Sequence, residues 1–287
     1  MGDLLERIVA VASMVWNVLL PPYQDILEKN ETFCLRMIER QWCAHILREH
    51  VANVYKEQGR YAEAKLQLEA LFASGYRSKR GWYDYVEVLV GLGLYREAAE
   101  AGKRTLKLLG ESAKLLYWTG VGELKSGEHV LAQEHLERCV ALDKTNAWAH
   151  LQLGSCASKR GDYEAALKSF TTAQLLNAKV AGVQRAIALT HSNMGSQYVR
   201  ERQYAHGIEA YKRSLQVTPN DAVTLYNLGL TYLKMGQRDE GIMCLKQAKR
   251  SGLDGQRESN VKSLIRDLDE IEFQKLAESL NPELGRE

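Results

Sequence analysis

The sequence is poor in residues that mark several common classes of protein. Its 287 residues include only four prolines and four phenylalanines, whereas Ala, Leu, Glu, Lys and Arg are abundant. The abundant residues favour helix over strand. A chain of this length can form one or two ordinary domains. We therefore expect an all-α protein with ample material for a core.

Charge of one sign and long apolar runs are also lacking. The formal net charge is +2, whereas nucleic-acid binders carry clustered, strongly basic surfaces. The apolar run at residues 8–20 is shorter than the roughly 20 residues that span a bilayer. Asp3 and Glu6 stand where a signal peptide requires positive charge. These features predict a soluble chain that is not secreted and has no nucleic-acid partner.

Cysteine usage and catalytic motifs exclude further classes. The five cysteines are odd in number and far apart, without a C-x-x-C pair, which favours a reducing, cytoplasmic setting and no metal site. The sequence contains neither H-E-x-x-H nor G-x-S-x-G. His129, His150 and His191 fall on positions that suit packing. We expect that the chain is not an enzyme and that it has neither a cofactor nor a small-molecule substrate.

Residues 120–127 read GVGELKSG, which raises the question of a phosphate-binding loop. Such a loop needs Gly, four residues, Gly, and then Lys with Ser or Thr. Gly122 and Gly127 have this spacing, but Glu128 and His129 follow them, and a carboxylate there would repel phosphate. We therefore expect no nucleotide site at this segment.

A recurring phrase explains these glycines. Gly59, Gly93, Gly127 and Gly161 stand 34 residues apart each time. A tyrosine or histidine follows two positions later, and an alanine follows five positions later. A fixed period of this length is typical of helical repeats, in which a glycine ends the first helix in the left-handed conformation.

Small residues recur at two further positions of the period, where they would let two helices approach closely. When the first period is counted from residue 45, position eight holds Ala52, Val86, Gly120, Gly154, Gly195 and Gly229, and position twenty holds Ala64, Ala98, Ala132, Ala166, Gly207 and Gly241. The pattern resembles the tetratricopeptide repeat family, whose 34-residue unit is a pair of antiparallel helices.

The resemblance implies an all-α, right-handed α-solenoid of about six helix pairs. We expect a longer first helix in the fifth repeat, because the period lengthens there by seven residues. Residues 1–44 are predicted to be a degenerate helical pair or cap, and residues 256–287 a capping helix and tail. The predicted repeats are 45–78, 79–112, 113–146, 147–180, 188–221 and 222–255.

Three residues depart from the family pattern. Glu123 stands where a large apolar residue is expected, and Gly102 replaces an aromatic residue or leucine. Arg202 replaces the turn glycine of the fifth repeat. These departures are expected to weaken single repeats without changing the fold.

The resemblance also implies a binding surface, because the first helices of such a solenoid line its concave side. In the amino-terminal half the lining positions hold aromatic residues with mixed charge. In the carboxyl-terminal half they hold a row of amides and a row of basic residues. The predicted groove residues are Tyr83, Tyr117, Trp118, Trp148, Gln152, Asn193, Tyr226, Asn227, Lys159, Arg200 and Lys234.

The amide row has two interpretations. An amide can donate to a backbone carbonyl and accept from a backbone N–H, so the row could hold an extended peptide. The same residues are also frequent in the family, where they are merely solvated. The basic row could favour an acidic segment, although Lys also suits a helix carboxyl end. Binding of the acidic tails of chaperones is disfavoured, because Glu49 and Asp84 stand where that site needs Lys or Asn.

The sequence therefore predicts a non-enzymatic adaptor whose groove binds a peptide segment of a protein partner. The alternative is a constitutive scaffold subunit of a large multiprotein complex. This alternative is favoured by the apolar segment at residues 8–20, whose side chains cover more than one helix face and favour burial on several sides. The same segment could instead fold back onto the first repeat.

Overall fold

The structure is a computed structural model that describes residues 44–76, 78–177 and 179–280. Within these ranges the chain forms thirteen helices and no strand, which confirms the prediction of an all-α fold. The predicted amino-terminal helical pair, the apolar run at residues 8–20 and the tail at residues 281–287 lie outside the described residues. The chain divides into two compact units, Met1–Ser126 and Gly127–Glu287, which we call the amino-terminal and carboxyl-terminal units.

The described part of the amino-terminal unit contains five helices. Neighbouring helices pack against each other along the chain, and the first helices of successive pairs, α1, α3 and α5, also contact one another. The helices are α1 (Ala44–Glu57), α2 (Tyr61–Ala73), α3 (Lys79–Gly91), α4 (Tyr95–Leu109) and α5 (Ala113–Ser126).

The carboxyl-terminal unit repeats this arrangement. Its first helices, α7, α9 and α11, contact one another in order, and each packs against the second helix that follows it. The helices are α6 (His129–Leu142), α7 (Ala147–Lys159), α8 (Tyr163–Leu176), α9 (Val183–Arg200), α10 (Tyr204–Val217), α11 (Ala222–Lys234), α12 (Arg238–Arg250) and α13 (Gly255–Leu280).

The segment GVGELKSG is helical up to Ser126 and turns at Gly127, so its residues do not form a phosphate loop. Gly127 has a φ of 96°, and Gly59, Gly93 and Gly161 also lie in the left-handed region. The recurring glycines are therefore turn residues, as predicted. At the corresponding turn of the fifth repeat, Arg202 adopts the same conformation with a φ of 60°.

The two other departures are accommodated in the amino-terminal unit. A Cβ on Gly102 would lie 2.2 Å from Oγ1 of Thr119, so the missing side chain lets α4 and α5 approach closely. Glu123 is fully buried, and its Oε1 lies 3.3 Å from Nζ of Lys103 on α4. An ion pair between adjacent helices thus replaces the expected apolar contact.

An open cleft of about 530 Å³ in this unit is lined by residues of α2, α3 and α4. Phe72 and Trp82 stack at 4.0 Å between ring centroids, and Tyr85 lies edge-on to both. The hydroxyl of Tyr85 donates to Oε1 of Glu69 at 3.2 Å. All three rings line the cleft.

Helix α9 has 18 residues, whereas α7 and α11 have 13 each. This confirms the expected extension of the first helix in the fifth repeat. The last helix, α13, packs on α12 through the fully buried Val261, and the guanidinium of Arg238 donates to the carbonyl of Leu268. The division of residues 45–255 into six repeats stays a prediction, and the boundary between the two units falls inside the third of them.

Candidate functional site

Three glycines fix the rotation of the first helices in the carboxyl-terminal unit. A Cβ on Gly154 would lie 2.5 Å from the ring of Phe170, and one on Gly195 would lie 2.8 Å from the ring of Tyr211. A Cβ on Gly229 would lie 2.8 Å from Cγ of Leu245. Each glycine therefore faces the second helix of its own pair, and no larger residue fits between them without displacement.

The predicted amides stand two residues before these glycines. Successive residues of an α-helix are about 100° apart, so a side chain two residues away lies roughly 200° round the helix. Gln152, Asn193 and Asn227 therefore point away from the second helices. The structure brings all three to the same face of α7, α9 and α11, which we call the first-helix face.

The amide side chains are open to a ligand. All three are half-buried. Among the described residues, the side-chain amides of Gln152, Asn193 and Asn227 have no hydrogen-bond partner, whereas most polar side chains nearby are bonded within the unit. Each amide thus retains two donors and an acceptor.

Short hydroxyls hold the first helices together beside the amides. The hydroxyl of Thr224 on α11 donates to Oγ of Ser192 on α9 at 2.9 Å, and both side chains are buried. Ser196 bonds the hydroxyl of Tyr211 at 2.9 Å, which ties α9 to α10. Helix α9 is therefore tied to α10 and α11 by hydrogen bonds that do not use the amides.

The predicted basic residues lie at the carboxyl ends of the same helices. Lys159, Arg200 and Lys234 are exposed and occupy the last turns of α7, α9 and α11. None of the three forms an ion pair with another described residue. Their charges are stabilised by the helix carboxyl ends and stay available to an acidic group.

An apolar row on the same face was missed in part by the sequence reading. Trp148 was predicted and is 44% exposed, but Leu189 and Val223, which are 59% and 40% exposed, were not. The three residues occupy the second position of successive repeats. Following this position through the last two repeats, and not only the earlier ones, would have found them. Tyr226, also predicted, is half-buried beside Asn227.

The predicted aromatic residues of the amino-terminal unit have a packing role. Tyr83 and Trp118 pack against a core cluster that contains Val86, Leu89 and Leu115. Tyr117 lies next to Trp118, with 4.8 Å between their ring centroids. All three rings are half-buried within the amino-terminal unit.

An ion cluster joins the three first helices of the amino-terminal unit. Asp84 on α3 is only 2% exposed, and its Oδ1 accepts from Nζ of Lys56 on α1 at 2.6 Å and from Nζ of Lys114 on α5 at 2.8 Å. Glu87 contacts the same two ammonium groups, at 3.3 Å from Lys56 and 2.9 Å from Lys114. The carboxylates of Asp84 and Glu87 and the two ammonium groups therefore form ion pairs with one another.

The pKa of Asp84 reflects this cluster. Burial by itself raises the pKa of the carboxyl, but the hydrogen bonds from Lys114 and Lys56 outweigh it and lower the pKa below the usual value. Burial by itself lowers the pKa of Lys114, but the hydrogen bonds to Asp84 and Glu87 raise it above the usual value. Asp84 is therefore ionised at neutral pH and acts as a structural anion between two lysines.

The histidines and cysteines of the described ranges do not assemble a metal site. No group of three or more His, Cys, Asp or Glu side chains with suitable placement occurs in these ranges. Burial, and to a lesser extent the charge of Arg213, lower the pKa of His191. Cys139, Cys156 and Cys244 are buried as free thiols, and burial raises the pKa of Cys139 to about 11. Within the part of the chain that the structure describes, no helix is long and apolar enough to cross a membrane.

Comparisons with known proteins agree with the helical-repeat fold. Family models described as tetratricopeptide repeat match residues 52–114, 123–189 and 222–251, and a model described as TPR repeat matches residues 195–236. The chain is similar to the BBSome complex member BBS4 of Bos taurus, with 30% identity over 141 residues, which are 49% of this chain and 26% of that protein.

A second relative is the anaphase-promoting complex subunit cut9 of Schizosaccharomyces pombe. It is 23% identical over 214 residues, which are 72% of this chain and 31% of that protein. The chain thus spans about a quarter to a third of the length of these relatives. The crystal structure of the APC/C hetero-tetramer Cut9-Hcn1 matches with a TM-score of 0.52 at 20% identity, over 80% of this chain and 44% of that one, a likeness that shows the fold alone.

Proposed function

The chain belongs to the tetratricopeptide repeat family, and from this premise we propose that it is a non-enzymatic adaptor that binds a peptide segment of a protein partner. The proposed site is the first-helix face of the carboxyl-terminal unit. The observation that carries the proposal is the row formed by Gln152, Asn193 and Asn227, three half-buried amides at equivalent places on contacting helices.

Amides in this arrangement suit a peptide main chain better than a side chain. Each can donate to a carbonyl oxygen and accept from a backbone N–H, which are groups that every peptide offers. Helices α9 and α11 are joined by the bond between Thr224 and Ser192, and α7 packs directly against α9. The row is therefore preorganised, which lowers the entropic cost of binding.

The predicted groove residues of the two units support the proposal to different degrees. Trp148, Tyr226 and the basic residues Lys159, Arg200 and Lys234 lie on the elements that carry the amides. Tyr83, Tyr117 and Trp118 are proposed to line the groove of the amino-terminal unit. We place the protein in the cytoplasm, as the cysteine usage predicts, with protein partners and without nucleic acid or a small-molecule substrate.

A scaffold subunit of a multiprotein complex is the second candidate. The named relatives are members of the BBSome and of the anaphase-promoting complex, which supports membership in an assembly. Large apolar side chains are also exposed on the second helices of the carboxyl-terminal unit, and exposed apolar patches favour contact with other proteins. They include Val130, Leu142, Leu175 and Met243.

Selection of peptides on the full chain tests the adaptor directly. Random twelve-residue peptides displayed on phage are selected against the wild-type protein, and the recovered peptides are titrated against Asn193→Ala with Asn227→Ala. Each lost hydrogen bond costs about 0.5–1.5 kcal/mol. The double variant should therefore bind about tenfold more weakly, since 1.4 kcal/mol is one decade of affinity.

Lys246→Ala is the matched control, because Lys246 is exposed on the second helix α12. It should bind every recovered peptide as wild type does. If all recovered peptides bound the amide double variant at wild-type strength, the adaptor would be rejected. Contacts on the second helices would then favour the scaffold subunit.

The absence of a cofactor is tested by thermal unfolding. A ligand that binds only the native state must raise the melting temperature. We expect zinc, a chelator and ATP each to leave the melting temperature of the full chain unchanged. A reproducible rise with ATP would contradict the interpretation of residues 120–127 as part of a repeat.

A further inference from the structure

Three parallel rows of different chemistry cross the first-helix face of the carboxyl-terminal unit. The exposed apolar row formed by Trp148, Leu189 and Val223 lies on one side of the amide row, and the basic row lies on the other. Within each helix the three positions fall at i, i+4 and i+11. At about 100° per residue they lie within roughly 40° of one another round the helix. Each of α7, α9 and α11 therefore presents an apolar, an amide and a basic group in the same order on one face.

The order of the rows along the helices sets what a ligand must carry at each edge. With a rise of about 1.5 Å per residue, the apolar row lies about 6 Å from the amide row on one side. The basic row lies about 10.5 Å away on the other side. An apolar side chain crosses the shorter distance alone. The longer distance is spanned from both ends, by Lys or Arg from the protein and by Glu from the ligand.

The spacing of the helices sets the period of the ligand. The first helices are in direct contact: Thr224 bonds Ser192 between α11 and α9, and Leu151 of α7 and Val183 of α9 belong to one apolar cluster. Packed helices lie about 8–10 Å apart. A polyproline II segment advances about 3.1 Å per residue with three residues per turn, so one turn covers about 9.3 Å.

A β-strand would cover a similar distance in three residues, but its side chains alternate between two sides. Residues three apart would then face opposite edges at successive helices. In polyproline II, residues three apart face the same edge. Only the polyproline II conformation presents the same chemistry to the same row at α7, α9 and α11.

We propose that the first-helix face binds a polyproline II segment of a partner protein with a three-residue period of one apolar and one acidic residue. This inference rests on the proposed function and specifies its ligand. The apolar residues contact the row of Trp148, Leu189 and Val223, and the acidic residues pair with Lys159, Arg200 and Lys234.

The amides complete the match. Polyproline II has no internal hydrogen bonds, so its carbonyls and its non-proline N–H groups are free to bond. Gln152, Asn193 and Asn227 each supply a donor and an acceptor at every turn of such a segment. The segment is also extended before it binds, so little ordering is lost on association.

Three synthetic peptides test the proposal by fluorescence anisotropy with the full chain. The first contains Pro-Leu-Glu repeated four times. The second is an isomer of the same composition in which no two leucines stand three residues apart. The third has Gln in place of every Glu. We expect the first to bind at least tenfold more tightly than either of the others, with an affinity that falls as salt is added.

Charge reversal on the protein identifies the edge that the acidic residues face. Arg200→Glu with Lys234→Glu should weaken the first peptide at least tenfold and leave the third unchanged. The matched control is Lys246→Glu with Lys249→Glu, two exposed lysines on the second helix α12. It alters the net charge equally and should not change binding.

Substitution of the apolar row tests the opposite edge. Trp148→Ala with Leu189→Ala should weaken the first and third peptides by a similar factor, at least tenfold. Met243→Ala removes an exposed apolar side chain from α12 and should have no effect. Unchanged binding by the first pair of substitutions would overturn the proposed orientation.

The outcomes separate this inference from the adaptor function. If the first two peptides bound equally and both weakened on the amide double variant, the period would be wrong and the adaptor would stand. If none of the three bound at 1 mM, the inference would fall, and peptide selection would still decide the adaptor. If the first peptide bound the amide double variant at wild-type strength, both would fall.

Discussion

The two units use the same helix positions in opposite ways. In the amino-terminal unit, the sixth position of α3 holds Asp84, which two lysines from α1 and α5 neutralise. In the carboxyl-terminal unit, the sixth positions of the predicted repeats lie on α7, α9 and α11 and hold amides that bond to no described residue, and the nearby basic residues form no ion pair with a described residue. The charged groups on α1, α3 and α5 are therefore paired with one another, whereas the amides and basic residues of the first-helix face have no such partner among the described residues.

The difference follows from reach and from the cost of desolvation. Lysine side chains from α1 and α5 are long enough to meet a carboxylate on α3, and a buried charge must be paired. Asparagine is short and neutral, so it neither spans to the next helix nor requires a partner of opposite charge. Where amides replace charges, the buried hydroxyls of Ser192 and Thr224 join the helices and leave the face free.

The largest expected effect comes from breaking the ion cluster. Asp84→Ala leaves Glu87 as the one carboxylate between the ammonium groups of Lys56 and Lys114, and removal of one partner of a buried ion pair costs about 3–5 kcal/mol. Lys114 is 45% exposed, so solvent screens part of this loss, and we expect about 2–4 kcal/mol. Urea denaturation measures the loss. Hydrogen exchange should show it in α1, α3 and α5, and exchange rates that rose only in α9 and α11 would contradict the assignment.

The same cluster predicts a pH dependence with a defined sign. The folded pKa of Asp84 is depressed, so its contribution to stability is present above the unfolded pKa of about 3.9 and is lost as the pH falls through the folded pKa. The melting temperature of wild type should exceed that of Asp84→Asn at pH 7, and the difference should shrink below about pH 4. A constant difference from pH 7 to pH 2 would mean that ionised Asp84 contributes no stability.

The close approach of paired helices should be a property that both units share. Ala98 and Ala166 are fully buried at equivalent positions of α4 and α8. Replacing either with Leu should cost about 1–3 kcal/mol through overpacking. Lys168→Leu, at an exposed position of α8, should cost less than about 0.5 kcal/mol. Equal losses for Ala166→Leu and Lys168→Leu in urea denaturation would show that the register is wrong.

A smaller effect should come from the turn that lacks glycine. Arg202 holds a φ of 60°, and a left-handed conformation costs a residue other than glycine about 1–2 kcal/mol. Arg202→Gly removes this strain but makes the unfolded chain more flexible. We expect a net gain of about 0.5–1 kcal/mol in thermal unfolding. Gly161→Ala, at the equivalent turn of α7, should lose a similar amount, and a loss with both substitutions would disprove the strain.

The smallest effect should come from the open face itself. Asn193→Ala with Asn227→Ala should change the free energy of unfolding by less than about 0.5 kcal/mol, because these side chains make no hydrogen bonds within the described protein. The contrast with Asp84→Ala measures the difference between the two faces. A loss above about 1 kcal/mol would mean that the amides brace the helices.

Much of the site could be placed from the repeat register. The glycines at position eight indicate which side of each first helix faces its partner, and the amides two residues earlier must then point the opposite way. Leu189 and Val223 could also have been placed, since they share a position with Trp148. The exposure of these two side chains could not be predicted, because it depends on how far the first helix of the next repeat covers them.

The spacing of residues within a repeat is sufficient to predict the helices, the turns and the rotation of each helix about its axis. The reason is that a side chain's direction depends only on its place in a repeating backbone. Pairing between repeats needs the folded structure. Lys56 and Asp84 are 28 residues apart, and Glu123 meets Lys103 on the preceding helix. Whether such charges meet depends on the distance and tilt between helices, which the packing of the whole unit sets. The closed ion cluster and the open amide row are therefore consequences of tertiary packing.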